Sequence, residues 1–172
     1  MSPTAPNSTV TTANLPNKKH SLPTSDISIV HFPPGTDTPT LAFIRTSPQD
    51  ARRPPQTPRV DMPRPFREQA RNAFINLADL LAQGGARPQD VTKLTIYLSS
   101  TQSGPGKTFQ LGDAMEEFFT YQEPDGRLRM HKPPVVIFRD QVLGEGHGKI
   151  EVDAEAVVRL ALPVPPPSYD SI

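Results

Sequence analysis

No cysteine occurs in the 172 residues, which removes disulfides, thiolate metal sites and cysteine nucleophiles together. That absence fits a reducing compartment. A surplus charge of either sign is lacking too. The 18 basic and 18 acidic residues cancel, so no global field recruits nucleic acid or an anionic membrane. No apolar run approaches the roughly 20 residues of a membrane helix, and the first residues lack the apolar core of a secretory signal. The N-terminal stretch is rich in Ser and Thr but holds no arginine before Arg45. A cytoplasmic location is therefore expected ahead of a mitochondrial one. His31, His131 and His147 stand singly, without metal-ligand spacing, so neither a metal nor a cofactor is expected.

Proline is what the chain has in quantity, and it marks the boundaries. Of 22 prolines, 13 precede residue 66 and four lie in the last ten positions. Each removes a backbone donor and fixes φ, so the regular core belongs to the middle. Residues 1–25 are Ser, Thr, Asn and Pro with scattered small apolar residues, and they read as a disordered tail. Residues 26–162 form the one domain, and 163–172 a Pro-rich second tail.

Within the domain, Ile27–Phe32 and Thr40–Thr46 read as a hairpin around Pro33-Pro34-Gly35. Phe66, Ala70, Ala73, Phe74, Leu77, Leu80 and Leu81 recur at helical spacing, and Gly84-Gly85 stops that helix. Val91–Leu98 alternates as a strand, with Leu94, Ile96 and Leu98 on one face and Lys93, Thr95 and Tyr97 on the other. Phe109–Thr120 is a second amphipathic helix. Val135–Phe138 is a strand. Ile150, Val152, Ala154 and Ala156 alternate with Glu151, Asp153 and Glu155 in the last one. The order β-β-α-β-α-β-β suits an α+β fold, a single sheet with both helices on one face.

Several of these pieces resemble the YjgF-type reactive-intermediate deaminase (Rid, L-PSP endoribonuclease-like) family. The stretch from Arg67-Glu68-Gln69-Ala70 through Asn76–Leu81, Gly84-Gly85-Ala86 and Asp90–Leu98 is similar to its helix–Gly–strand signature. Phe118-Phe119 falls where its second helix ends. Ile150-Glu151-Val152-Asp153-Ala154 resembles its last strand, and Thr46-Ser47-Pro48-Gln49 its Thr-Ser-Gly-Gln segment. The resemblance implies a chorismate-mutase-like fold, a homotrimer and ligand clefts between subunits. It implies Glu151 as the catalytic residue and water anchor, with Ser47 supplying hydrogen bonds.

One departure decides the chemistry. Deaminating members open the penultimate strand with Pro-x-Arg, whose arginine clamps the substrate carboxylate. Here Pro133-Pro134-Val135 occupies the motif, with Val136 the alternative alignment. A valine forms no bidentate, charge-assisted pair with a carboxylate. Ile137 follows on the same strand face as Val135. The family's helix asparagine corresponds to Gly112, and its first-strand tyrosine to His31 or Phe32. Arg45 shares a strand face with Ser47, about 6.6 Å away, and is the candidate to replace the clamp.

Two function classes stay open from the sequence. The first is a small-molecule enzyme acting on a reactive imine or enamine without a clamped α-carboxylate, in the manner of a specialised-metabolite pathway. The second is a non-catalytic ligand-binding or scaffold protein. Ribonuclease action ranks below both, because net charge is zero and aromatic platforms are scarce. Pro166-Pro167-Ser168-Tyr169 forms a Pro-Pro-x-Tyr motif of the kind WW domains bind, which makes a WW-domain protein a candidate partner beside the small molecule and a second copy of the chain.

Overall fold

The computed structural model describes residues 9–13, 27–32, 41–51, 65–102, 104–141, 143 and 149–159. Among the described residues, alternation and breakers in the sequence translate into eight strands and two α-helices. They are β1 (Thr9–Ala13), β2 (Ile27–Phe32), β3 (Leu41–Thr46), α1 (Phe66–Gln83), β4 (Val91–Ser99), α2 (Pro105–Phe119), β5 (Thr120–Gln122), β6 (Leu128–Met130), β7 (Val135–Gln141) and β8 (Ile150–Arg159). The main sheet has six strands in the order β1-β2-β3-β8-β4-β7. Only the β4–β7 pair is parallel.

Both helices lie on one face, with α1 against β8 and β3 and α2 against α1. The apolar stripe of α1 (Phe66, Ala70, Ala73, Phe74, Leu77, Leu80, Leu81) closes on Ile44, Leu94, Ile96, Ile150, Val152, Ala154 and Ala156. Each large side chain buried there contributes about 1.5–3 kcal/mol of hydrophobic stabilisation. Gly85 ends α1 at φ +77°, where Ala86 N–H donates to Leu81 O at 2.9 Å and Gly85 N–H to Ala82 O at 3.0 Å. Gly84 is closely approached by the core. A Cβ there would sit 3.0 Å from the Cδ1 atoms of both Ile27 and Ile44.

Two polar side chains on that same stripe are buried, Gln69 and Asn76. Asn76 Nδ2 donates to Asp50 O at 2.8 Å, and Gln69 Oε1 accepts from Lys149 N–H at 2.9 Å. Helix α1 therefore fixes both the segment leaving β3 and the residue that opens β8.

The structure departs from the sequence reading in two places. Residues 9–13, expected within a disordered tail, form an edge strand paired with β2 through Val10↔Val30 and Thr11↔Ile29. A run of β-branched residues suffices for an edge strand, and the composition of the surrounding tail hides it. The sequence pattern gives no element between 120 and 134, yet β5 and β6 form a hairpin there. Its turn is Glu123-Pro124-Asp125-Gly126. Gly126 has φ +83°, and Asp125 Oδ1 accepts from Arg127 N–H at 3.0 Å. The Pro-Asp-Gly run is the signal that marks such a turn. The expected tail 163–172 and the loop around His147 lie outside the described residues.

Candidate functional site on the open sheet face

The face of the sheet opposite the helices carries the remaining polar side chains. Residues paired across strands share a face, so register places them. Arg45 of β3 opposes Glu155 of β8, which opposes Lys93 of β4. Asp153 opposes Thr95, and Glu151 opposes Tyr97. On the far side of β4, Thr95 pairs with Val136 and Tyr97 with Phe138. The row Glu151–Tyr97–Phe138 thus crosses three strands.

Contacts give this row its electrostatics. Tyr97 Oη donates to Asp153 Oδ2 at 3.0 Å. The Tyr97 ring stacks on Phe138 with centroids 5.4 Å apart and planes 13° from parallel. Lys93 Nζ and Glu155 Oε1 are 3.6 Å apart. Burial, then the hydrogen bond and negative charge of Asp153, hold the Tyr97 phenol above its usual value, with Glu151 adding a little; the Arg45 guanidinium pulls the other way. A neutral phenol anchored on a carboxylate therefore sits beside a second carboxylate, Glu151, against an aromatic and apolar wall.

Ser47 is brought to the same end of the sheet. Beyond β3 the chain bulges, and Gln49 rejoins β8 through two backbone bonds with Val152, at 2.7 and 2.9 Å. Gln49 Nε2 donates to Ser47 Oγ at 3.0 Å and to Ser47 O at 2.9 Å. Thr46 Oγ1 accepts from Ala154 N–H at 2.9 Å. The Ser47 segment is thereby pinned to the residue that follows Glu151.

The other sequence-derived candidates separate. Val135 pairs with Leu94 and Ile137 with Ile96, which puts both on the helix side of the sheet, away from Glu151. Val136 is the valine that shares the carboxylate's face. Arg45 is on that face, but its partner Glu155 is four residues from Glu151, about 13 Å along a strand. His31 pairs with Ala42, and Phe32 with Leu41 at the far end of β3. Gly112 is exposed on α2, in the helix layer. Within one chain these three do not meet Glu151. Among the described residues, no group of His, Asp and Glu is arranged to hold a metal. His131 has a structural role, with Nε2 2.6 Å from Val91 O and its ring edge-on to Phe119.

Tyr97 and Asp153 are what sequence reasoning missed. Alternation puts each on the polar face of its own strand, but their contact depends on the β4–β8 register, which no local pattern carries.

Solved structures share this architecture. The YjgF gene product of E. coli is 19% identical and matches with a TM-score of 0.61, over 87% of this chain and 99% of its own. The Rid-family protein YyfA of Yersinia pestis is 15% identical, with a TM-score of 0.61 over 87% of this chain and 100% of its own. E. coli TdcF, solved with bound serine, is 16% identical, with a TM-score of 0.60 over 86% and 98%. This chain has the YjgF fold. No family model and no curated protein matches the sequence. Likeness at this level of identity extends to the fold, a YjgF-type sheet with its open face, and leaves the chemistry to the residues that stand on it.

Proposed function

We propose that this YjgF-fold chain is a homotrimeric enzyme that hydrolyses a reactive imine or enamine whose reacting carbon bears no free carboxylate. The observation that carries the proposal is the row Glu151–Tyr97–Phe138, with Val136 beside it. A carboxylate base and an anchored phenol stand there against an apolar wall, to which β7 contributes Val136 and Phe138. Serine, with which TdcF was solved, carries a carboxylate, and Val136 and Phe138 offer such a group no charge-assisted partner.

The chemistry follows from the side chains. Glu151 accepts a proton from water as the water oxygen adds to the C=N carbon. Glu151 hands that proton to the nitrogen to give the carbinolamine. It then takes the carbinolamine O–H proton and passes it to the nitrogen as the C–N bond breaks, so that a carbonyl and ammonia leave and Glu151 is ionised again. Tyr97 orients the ligand, since its hydroxyl oxygen keeps a lone pair while its proton is held by Asp153. Support for threefold assembly comes from β7, an edge strand on which Val135, Val136, Ile137 and Phe138 are 36–46% exposed. Consecutive exposed apolar residues on an unpaired edge are a surface that a partner covers.

The test is ammonia release above the spontaneous rate from a carboxylate-free imine. Glu151→Gln should lower that release by about 10²–10⁴-fold, the usual contribution of a general base, with the fold unchanged by circular dichroism. Val136→Arg, on the face of Glu151, should gain hydrolysis of a 2-imino acid, whereas Val135→Arg on the helix side should not. Glu151→Gln with undiminished turnover would end the proposal.

A further inference from the structure

A second concavity lies on the other side of the molecule, in the helix layer. It is a groove of about 250 Å³ between α1 and α2, lined by Phe74, Ile75, Ala78, Pro88, Ala114 and Phe118, with Arg71 and Glu117 at its rim. The Phe74 and Phe118 rings are 5.0 Å apart, tilted by 38°. Arg71 Nη2 and Glu117 Oε1 are paired at 2.6 Å, both well exposed. The groove is separated from the open sheet face by the whole core, so the chemistry proposed above does not use it.

We propose that this groove is the docking site of the chain's own Pro163–Tyr169 segment. Register carries the first part of the case. Val91 pairs with Ala156 in antiparallel strands. Pro88, three residues before Val91, therefore lies toward the same end of the sheet as Arg159, the last residue of β8, which pairs with Leu41 of β3. The chain beyond β8 is released at the Pro88 end of the groove.

Length carries the second part. Residues 160–172 follow β8. Four chain steps lead from Arg159 to Pro163, a reach of up to about 13 Å. From Pro163 to Tyr169 a polyproline II run covers about 19 Å, while Ala78 to Arg71 spans only about 10 Å along α1. The segment that follows β8 is thus long enough to span the groove.

Chemistry carries the third part. Prolines preset the polyproline II form and stack on aromatic-lined grooves at low entropic cost. Here the aromatic floor is Phe74 and Phe118, with the ring of Pro88 at the entrance. Asp170 is the single charged residue of 160–172, and it would arrive at the Arg71 end, where Arg71 has donors beyond those facing Glu117.

Because the chain has no cysteine, Ser171→Cys gives one attachment point for a nitroxide on the full-length protein. With the tail docked, the amide resonances of Ile75, Ala78, Ala114 and Phe118 should lose most of their intensity. Replacing Pro165, Pro166, Pro167 and Tyr169 with serine should restore them, and that variant leaves the folded domain untouched. Ala78→Arg, which fills the groove, should also release the label. Broadening spread evenly over the surface, or unaffected by the tail substitutions, would overturn the proposal. So would equal broadening when spin-labelled chain is mixed with a separately isotope-labelled one, because the occupant would then come from a second copy.

Discussion

Tyr97 is the residue on which the site's electrostatics converge, and its behaviour with pH is specific. Its folded-state pKa is raised above 10, with burial the largest cause and Asp153 the next. The stabilisation that comes from the neutral, bonded phenol is therefore fully present below pH 10 and lost as pH rises through the folded value. Tyr97 should ionise late in a phenolate absorbance titration, and Tyr97→Phe should remove that late phase. Losing the single hydrogen bond should cost about 0.5–1.5 kcal/mol in denaturant unfolding. Asn76 should matter more. Asn76→Ala removes a buried hydrogen bond to the Asp50 carbonyl, which should cost about 1–3 kcal/mol, and should raise amide exchange across residues 49–51. At this scale the sequence was half legible. The period-two pattern puts Glu151 on the face away from the apolar residues, where the structure has it. It says nothing about Tyr97 standing opposite Glu151, because one slip of register would exchange that neighbour for another. Gln69 and Asn76 were hidden for a different reason, as polar side chains riding on an apolar stripe that bond to backbone of distant segments.

The elements were more legible than the residues, because periodicity and breakers are local. Pro65 and Gly84-Gly85 bracket α1, and both appear in the structure where their backbone chemistry demands. Helix α2 begins at Pro105, four residues earlier than the apolar pattern starting at Phe109 indicates, since its first turn is exposed and carries no stripe to read. The valine pair shows what an element-level reading cannot reach. The motif Pro133-Pro134-Val135 points to Val135, but the parallel pairing with β4 turns Val135 toward the helices and Val136 toward Glu151. Strand β1 gives a direct test of the corrected boundary. Its removal by deleting residues 1–13 takes away five cross-strand pairs, and should lower stability by roughly 1–3 kcal/mol at a few tenths to one per pair. A melting curve identical to the full chain would mean that the strand adds nothing to the sheet.

For the whole molecule, the open sheet face and the exposed edge of β7 pose one problem together. The charged row of Arg45, Glu155, Lys93, Asp153 and Glu151 lies between apolar side chains on either side, with Val136 and Phe138 toward one edge and Phe43 and Val30 toward the other. The proposed threefold assembly would cover such a surface, and light scattering at micromolar concentration should then give three times the 18.9 kDa chain mass. Phe138→Lys should shift that mass toward the monomer. Assembly was legible in the sequence only through resemblance, since no pattern within one chain states how many copies close a surface. The chemistry is decided by a comparison of matched imines. Ammonia release should be measured from a 2-imino acid and from the same imine with its carboxylate methylated. A lost bidentate clamp is worth about 2–5 kcal/mol, so the methylated compound should turn over with the Glu151-dependent rate while the 2-imino acid stays near background. Rapid hydrolysis of the free 2-imino acid, abolished by Glu151→Gln, would contradict the proposed substrate class and show that another cation, Arg45 first among them, holds the carboxylate.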